Sequence, residues 1–390
     1  MKNVKRLLSC LVSAAMCMSL LPTAMMPSVS AEQDPEYILM LGDSIASGYG
    51  LAEGEYRYAD YLEEYLGMES IDYAKPGQTT GELLELLNNE EVQIDIPLAS
   101  VICVSIGGND LIDTVEGYLN TLLKTYNTTN GTSLTLKEYV QTVVAVDDDL
   151  QTTMIIKLTS LLNKAANTYK TNIQQIEASL LEQNPDAKIV VQTVYNPINM
   201  ENPVVNGVDY SSKLKQIRKF ASEQLLTLND ALQQTEGLTY VDVNAAFKDT
   251  EWGYTNMDPS NGFWQMDVHP NALGHAVIAA EILNSLGAEG GSCDQFNLVL
   301  LNNAAKLSDA EYDRVHAQLD NFITIGKDGI VYSIAGVKGK PGETVEVPIT
   351  ISNGVGQILL TAKSGSGTVY PQVNAVEVNA TYQDWEYFFE

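Results

Sequence analysis

From Tyr37 to about Gly287, short and continuous apolar runs alternate with longer segments whose apolar residues recur at helical spacing. Tyr37-Ile-Leu-Met-Leu41, Val101-Ile-Cys-Val-Ser-Ile106, Ile189-Val-Val-Gln-Thr-Val-Tyr195 and Tyr240-Val-Asp-Val243 read as strands, with a weaker one at Ile71-Asp-Tyr73. A strand that is apolar at successive positions offers no face to water, so it belongs in a sheet covered on both sides, as parallel sheets are. Tyr56 to Leu66, Thr79 to Leu87, Ser211 to Leu232 and Ala272 to Leu286 predict the covering helices. The expected fold class is therefore α/β, a three-layer α/β/α sandwich on a parallel sheet over residues 36–287. Ligands of such sheets bind beyond the carboxyl ends of the strands, so chemistry-bearing residues are sought there.

Asp110 to about Gln183 is a long excursion between two strands, and 111–183 is read as a helical insertion. Thr125 to Leu134, rich in Thr, Asn and Gly, predicts a loop, and Ile155 to Leu181 a long helix. Placed just after a strand end, the insertion can roof the ligand crevice or serve as peripheral padding. Asp147-Asp148-Asp149 reads as a solvated helix start rather than a metal cluster, since three consecutive side chains point in different directions. Beyond Gly287 the composition shifts. Residues 288–327 read as a linker with helices, and 328–390 as a small, mostly β region punctuated by Gly and Pro.

The first residues are set apart. Lys2, Lys5 and Arg6 precede a mostly apolar run from Leu7 to Leu21, and Val29-Ser30-Ala31 offers a small-residue cleavage site. That layout predicts a signal peptide over 1–31 and a secreted, bacterial-type protein with no stable membrane insertion. A lipid anchor at Cys10 or Cys17 is the rival reading, without a matching lipidation box. The full chain is strongly acidic, 50 Asp and Glu against 22 Lys and Arg with a formal charge of −28. Such a surface repels phosphate backbones and anionic lipid, which argues against nucleic acid as a partner. Cys103, in a strand-like run, and Cys293, in a glycine-rich one, are not expected to pair, and no zinc-type cysteine spacing occurs.

Gly42-Asp43-Ser44 follows the first strand directly, which puts Ser44 at the mouth of the crevice. A serine there can be a helix cap or a nucleophile, and a nucleophile needs an adjacent base. Among three histidines, His269 alone precedes a helix on the expected side, with Pro270 suited to a first helical turn. His275 and His316 read as structural or surface residues. Gly77, in Ala74-Lys-Pro-Gly-Gln-Thr79, can present an unobstructed backbone N–H, and Asn109, in Gly107-Gly-Asn-Asp110, an amide. Acyl transfer places a full negative charge on the carbonyl oxygen, and each preorganised donor there is worth about 3 kcal/mol. Singly, the glycine and asparagine are ordinary turn residues. With Ser44 and His269 at strand ends of one sheet, the four point to acyl transfer.

Gly42-Asp43-Ser44, Gly77 with Ala74 and Thr79, Gly107-Gly-Asn-Asp110 and Asp267-Val-His-Pro-Asn271 resemble, in this order, the sequence blocks of GDSL/SGNH hydrolases. The resemblance covers roughly 37–287. It implies a flavodoxin-like sandwich hydrolysing esters or thioesters without a cofactor or metal. It implies Ser44 as nucleophile, His269 as base, and an oxyanion hole from the Ser44 and Gly77 backbone and the Asn109 side chain. Two positions depart from the pattern. Asp72 stands where the second block often begins with asparagine. Met266 stands where the family aspartate falls three residues before the histidine; Asp267 is two before. Either Asp267, through a shifted loop, or a backbone carbonyl would then orient the imidazole. Separately, Ile334 to Ile351 resembles the opening strands of a cohesin-like β-sandwich.

The expected function is a secreted carboxylic ester hydrolase, lipase- or esterase-like, acting on a small-molecule, lipid or polysaccharide ester. A carbohydrate O-deacetylase is the alternative within that class. A non-catalytic extracellular binding or scaffold protein on a retired hydrolase domain is the alternative outside it.

Overall fold

The computed structural model describes residues 36–198, 204–205, 208–232, 237–248, 253–257, 267–323, 331–334, 349–352, 358–360 and 387–389. The expected leader, Met266 and most of the cohesin-like run lie outside the described residues.

Five strands form one sheet: β1 (Tyr37–Gly42), β2 (Glu69–Asp72), β3 (Val101–Ser105), β4 (Lys188–Gln192) and β5 (Thr239–Val241). Their order is β2-β1-β3-β4-β5 and every pairing is parallel. The apolar runs explain the layering. Ile38, Met40, Val101, Cys103 and Val190 feed one buried cluster, while Leu39, Leu41, Ile102, Val104, Ile189 and Val191 feed another. Alternate side chains of a strand point to opposite faces, so both faces of the sheet are core.

On the first face lie α1 (Tyr58–Leu66) and, far along the chain, α7 (Ala272–Leu286). From Ala272 to Ala280 every residue of α7 is buried, as suits a helix apolar on all sides. The second face takes α2 (Thr80–Leu86), the C-terminal half of α5 (Asp148–Gln183) and α6 (Ser211–Asn229). The expected three-layer α/β/α architecture is what forms.

The excursion after β3 consists of α3 (Gly108–Asn130), α4 (Leu136–Thr142) and α5. Ala166, Tyr169, Ile173, Ile176 and Leu180 of α5 belong to the sheet-covering cluster, so this half is a layer of the sandwich and not a roof. The outer part holds a separate small core of Leu119, Tyr139, Val144 and Met154. The loop expected at Thr125 to Leu134 is corrected, because α3 continues through Asn130. Thr121, Thr125 and Thr128 turn their hydroxyls back onto carbonyls four residues earlier, and the Tyr126 ring meets Tyr139 at 5.2 Å. Tertiary packing here outweighs weak helix propensity. Asp147 caps α5 by accepting the Leu150 N–H at 2.9 Å.

Residues 288–323 do more than link. They form α8 (Asp294–Asn303) and α9 (Asp309–Leu319), which bury Phe296, Leu300, Val315 and Leu319 in the same cluster as α7. Cys103 and Cys293 are both free and buried. In the tail, Val331–Ile334 pairs antiparallel with Ile349–Ser352, and Ile358–Leu360 pairs parallel with Tyr387–Phe389. Among the described residues, no helix is long and apolar enough to cross a membrane.

Candidate active site

Strand β1 ends in Gly42 at φ +138°, a conformation that favours glycine. A Cβ there would lie 1.9 Å from the Ser105 carbonyl oxygen. That same oxygen accepts the Asp43 N–H at 3.0 Å, so the ends of β1 and β3 are drawn tightly together. The chain then coils: Ser47 N–H donates to the Asp43 carbonyl at 3.1 Å and Tyr49 N–H to the Ser44 carbonyl at 2.9 Å. Asp43 Oδ1 accepts the Ile45 N–H at 3.0 Å. Ser44 is thus held on a turn braced from both sides.

The imidazole arrives from the other end of the domain. His269 Nε2 lies 2.9 Å from Ser44 Oγ, and His269 Nδ1 lies 2.6 Å from Asp267 Oδ1. The same carboxylate oxygen accepts the His269 backbone N–H at 3.0 Å. This explains the two-residue spacing: Asp267 closes a tight turn onto its neighbour's backbone and so reaches the ring as well. With its proton on Nδ1, toward Asp267, the ring would present its Nε2 lone pair to the serine hydroxyl. Three further bonds hold the loop. Tyr195 donates its hydroxyl to the Val268 carbonyl at 2.7 Å, Asn256 N–H donates to the His269 carbonyl at 2.9 Å, and Asn271 caps α7 by accepting the Gly274 N–H at 3.0 Å.

The donors converge by topology. Ser44, Gly77 and Asn109 follow β1, β2 and β3, three adjacent strands, at their carboxyl ends. The order reverses between β1 and β3, the switch point where open α/β sheets bind ligands. Among the described residues, the Ser44 and Gly77 N–H groups donate to no protein acceptor, and a Cβ on Gly77 would meet nothing within 4 Å. Asn109 lies in the first turn of α3, near that helix's positive end, and its Nδ2 donates to the Gln78 carbonyl at 2.9 Å. This bond ties the amide to the loop that carries Gly77. Asp110 strengthens the tie by accepting the Thr80 N–H at 3.0 Å and the Thr80 hydroxyl, on which Asn172 of α5 also donates at 3.0 Å.

Sequence reasoning passed over Asp43, Tyr49, Thr80, Asp110, Asn172, Tyr195 and Asn256. Asp43 and Asp110 sit inside the recognised blocks and could have been found there. The others reach the site through contacts across many residues, which leave no local signal. The two remaining histidines are apart from it. His275 is fully buried, accepts the Tyr58 N–H at Nδ1 at 3.2 Å, and burial pushes it down to about 3, so it stays neutral. His316 is buried on α9 near Asp320. Asp72, the other departure, accepts the Ala74 N–H at 2.8 Å and pairs with Arg57.

Asp43 is only 2% exposed, and burial raises its carboxyl to about 7 against the pull of the Ile45 N–H, with Asp110 adding to the rise. The folded chain holds this proton more tightly than the unfolded one, whose carboxyl titrates at 3.8. Stability contributed by the protonated form is therefore lost as pH climbs from about 4 to 7. Asp43→Asn stays neutral and can still accept the Ile45 N–H. Between pH 5 and 8 the native chain should lose about 2 kcal/mol more than this variant in urea unfolding. Parallel curves would show that Asp43 is ionised throughout.

Among the described residues, no group of three or more His, Cys, Asp or Glu is placed to hold a metal. The sandwich and this cluster at its switch point have the layout expected of a hydrolase. The chain belongs to the GDSL-like lipase/acylhydrolase family, whose model matches residues 40–277. It is similar to the uncharacterized protein YpmR of Bacillus subtilis (strain 168), with 22% identity over 266 residues, 65% of this chain and 82% of YpmR. Among solved structures, it is similar to an extracellular lipase from Streptomyces rimosus. There the identity is 18%, the coverage 65% of this chain and 100% of that one, and the TM-score 0.43. It is also similar to the lipase Lip_vut3 from a goat rumen metagenome, at 18% identity, 64% and 97% coverage and a TM-score of 0.42.

Proposed function

We propose that this protein is a secreted carboxylic ester hydrolase that works through an acyl-enzyme. The observation that carries the reading is the continuous run from Asp267 through His269 to Ser44, with contacts of 2.6 and 2.9 Å. Ser44 Oγ bonds to the ester carbon as His269 Nε2 takes its proton. The carbonyl oxygen becomes an oxyanion, met by the Ser44 and Gly77 N–H groups and the Asn109 amide. When the tetrahedral adduct collapses, the C–O bond to the alcohol breaks and His269 returns the proton to the departing oxygen. Water, deprotonated by the same imidazole, then frees the acid and restores Ser44. Export rests on the basic start and apolar run of residues 1–31.

A small recess beside the Ser44 turn is lined by Asp43, Ile45, Ser105, Ile106, Val194 and Tyr195. At about 10 Å³ it has room for about one water and none for an acyl group. The carbohydrate O-deacetylase is the second reading, supported by the cohesin-like run from Ile334 to Ile351.

A fluorophosphonate probe tests the mechanism, since it forms a covalent adduct only with an activated serine. Labelling should appear on the intact chain and vanish in Ser44→Ala. An unlabelled but folded chain would promote the non-catalytic binding role. Nitrophenyl esters of increasing acyl length, run beside acetylated xylan, separate the two enzymatic readings. Preference for acetyl together with release from xylan selects the deacetylase.

A further inference from the structure

Tyr49 is 57% exposed, yet its ring centroid lies 4.7 Å from that of His269, the planes tilted by 55°. Its position is braced. The Tyr49 N–H bonds to the Ser44 carbonyl, and Asn256 Nδ2 donates to the Gly50 carbonyl at 3.0 Å. At Gly50 the chain passes so close to the imidazole that a Cβ would lie 3.0 Å from His269 Cβ. A ring held this near the base and more than half open to solvent is placed to meet a ligand.

The chemistry supplies one. His269 Nε2 must hand its proton to the departing alcohol oxygen, so that oxygen passes within hydrogen-bond reach of the imidazole. Whatever the oxygen carries lies against the groups flanking His269, and Tyr49 is one of them. We propose that Tyr49 determines specificity on the alcohol side by stacking on esters whose alcohol presents a ring face, aryl or pyranosyl. This rests on the serine-hydrolase reading above and adds to it the class of leaving group. Acyl length plays no part in it, because the acyl group stays bound to Ser44 after the alcohol has gone.

Phenyl acetate, an acetylated methyl xyloside and ethyl acetate all yield the same acetyl-enzyme, so differences in kcat/KM arise before the alcohol departs. Tyr49→Ala should lower the kcat/KM ratio of a ring ester over ethyl acetate by about 3- to 10-fold, the worth of one aromatic contact. Tyr49→Phe should restore the ratio, since stacking needs the ring and not the hydroxyl. A change confined to phenyl acetate or to the xyloside supports the proposal and identifies the ring class. Equal loss on all three esters would reduce Tyr49 to a prop for His269, and unchanged kcat/KM on all three would remove it from recognition; both leave the ratio unaltered and overturn the proposal. If the native chain also fails to label at Ser44, the parent reading falls together with this one. Labelling with an unaltered ratio sinks Tyr49 alone.

Discussion

Alanine at Ser44 or at His269 is expected to lower kcat on nitrophenyl acetate by about a millionfold, and asparagine at Asp267 by about ten-thousandfold. In the proposed mechanism the first two should match because hydroxyl and base act as one unit: with either gone, the other has nothing to do. What survives comes from binding and from the donors at Ser44, Gly77 and Asn109. Asp267→Asn differs in kind. Its side chain fills the same space, but a neutral amide cannot stabilise the imidazolium as a carboxylate does, and turning its nitrogen to Nδ1 would favour the wrong tautomer and forfeit the bond from the His269 N–H. Asp267 is 38% exposed on its side chain and His269 only 19%, so water can partly replace the carboxylate and not the imidazole. A thermal unfolding midpoint within a few degrees of the native value checks that each variant is folded. A loss at Asp267→Asn of under about tenfold would hand the orienting role to a backbone carbonyl. A loss equal to that at His269 would make the carboxylate indispensable.

Gly42→Ala is expected to cost about 3–5 kcal/mol of folding stability. Two effects combine at this residue. Its φ of +138° is strained for any L side chain, and the added methyl would sit 1.9 Å from the Ser105 oxygen. That oxygen is backbone in a central strand, so it cannot swing aside as a side-chain end can. Relief requires the β1 and β3 ends to part, breaking the 3.0 Å bond from Asp43 N–H and displacing Ser44. Denaturant unfolding measures the first consequence and fluorophosphonate labelling rate the second. A loss below about 1 kcal/mol would mean that the strand ends are pliant.

The parts of the fold that were legible in the sequence are those set by local pattern. Runs such as Ile38 to Leu41 and Ile102 to Val104 announce strands buried on both faces, and they are. The apolar spacing of Ala272 to Leu286 announces α7, although Asn271 caps it and Pro270, expected in its first turn, lies outside it. Legibility failed where a weak local preference met a strong tertiary one. The Thr- and Asn-rich stretch up to Asn130 reads as a loop, but packing against α4 holds it helical. Residues 288–323 read as a connector, because Phe296, Leu300 and Val315 are too sparse to signal a core until α7 lies beside them.

The candidate site divides along the same line. The chain alone determines which groups are present and the order in which they leave the strands: Ser44 after β1, Gly77 after β2, Asn109 after β3, His269 before α7. It determines them because motif and strand end are local properties, readable within a few residues. Only the tertiary structure decides that Asp267 reaches the imidazole from two residues away, since a side chain's reach depends on how its loop turns back. Only the tertiary structure puts Asp43 out of water and Tyr49 against His269. Burial and ring contact are set by residues tens to hundreds of positions distant, and no window on the sequence holds both partners at once.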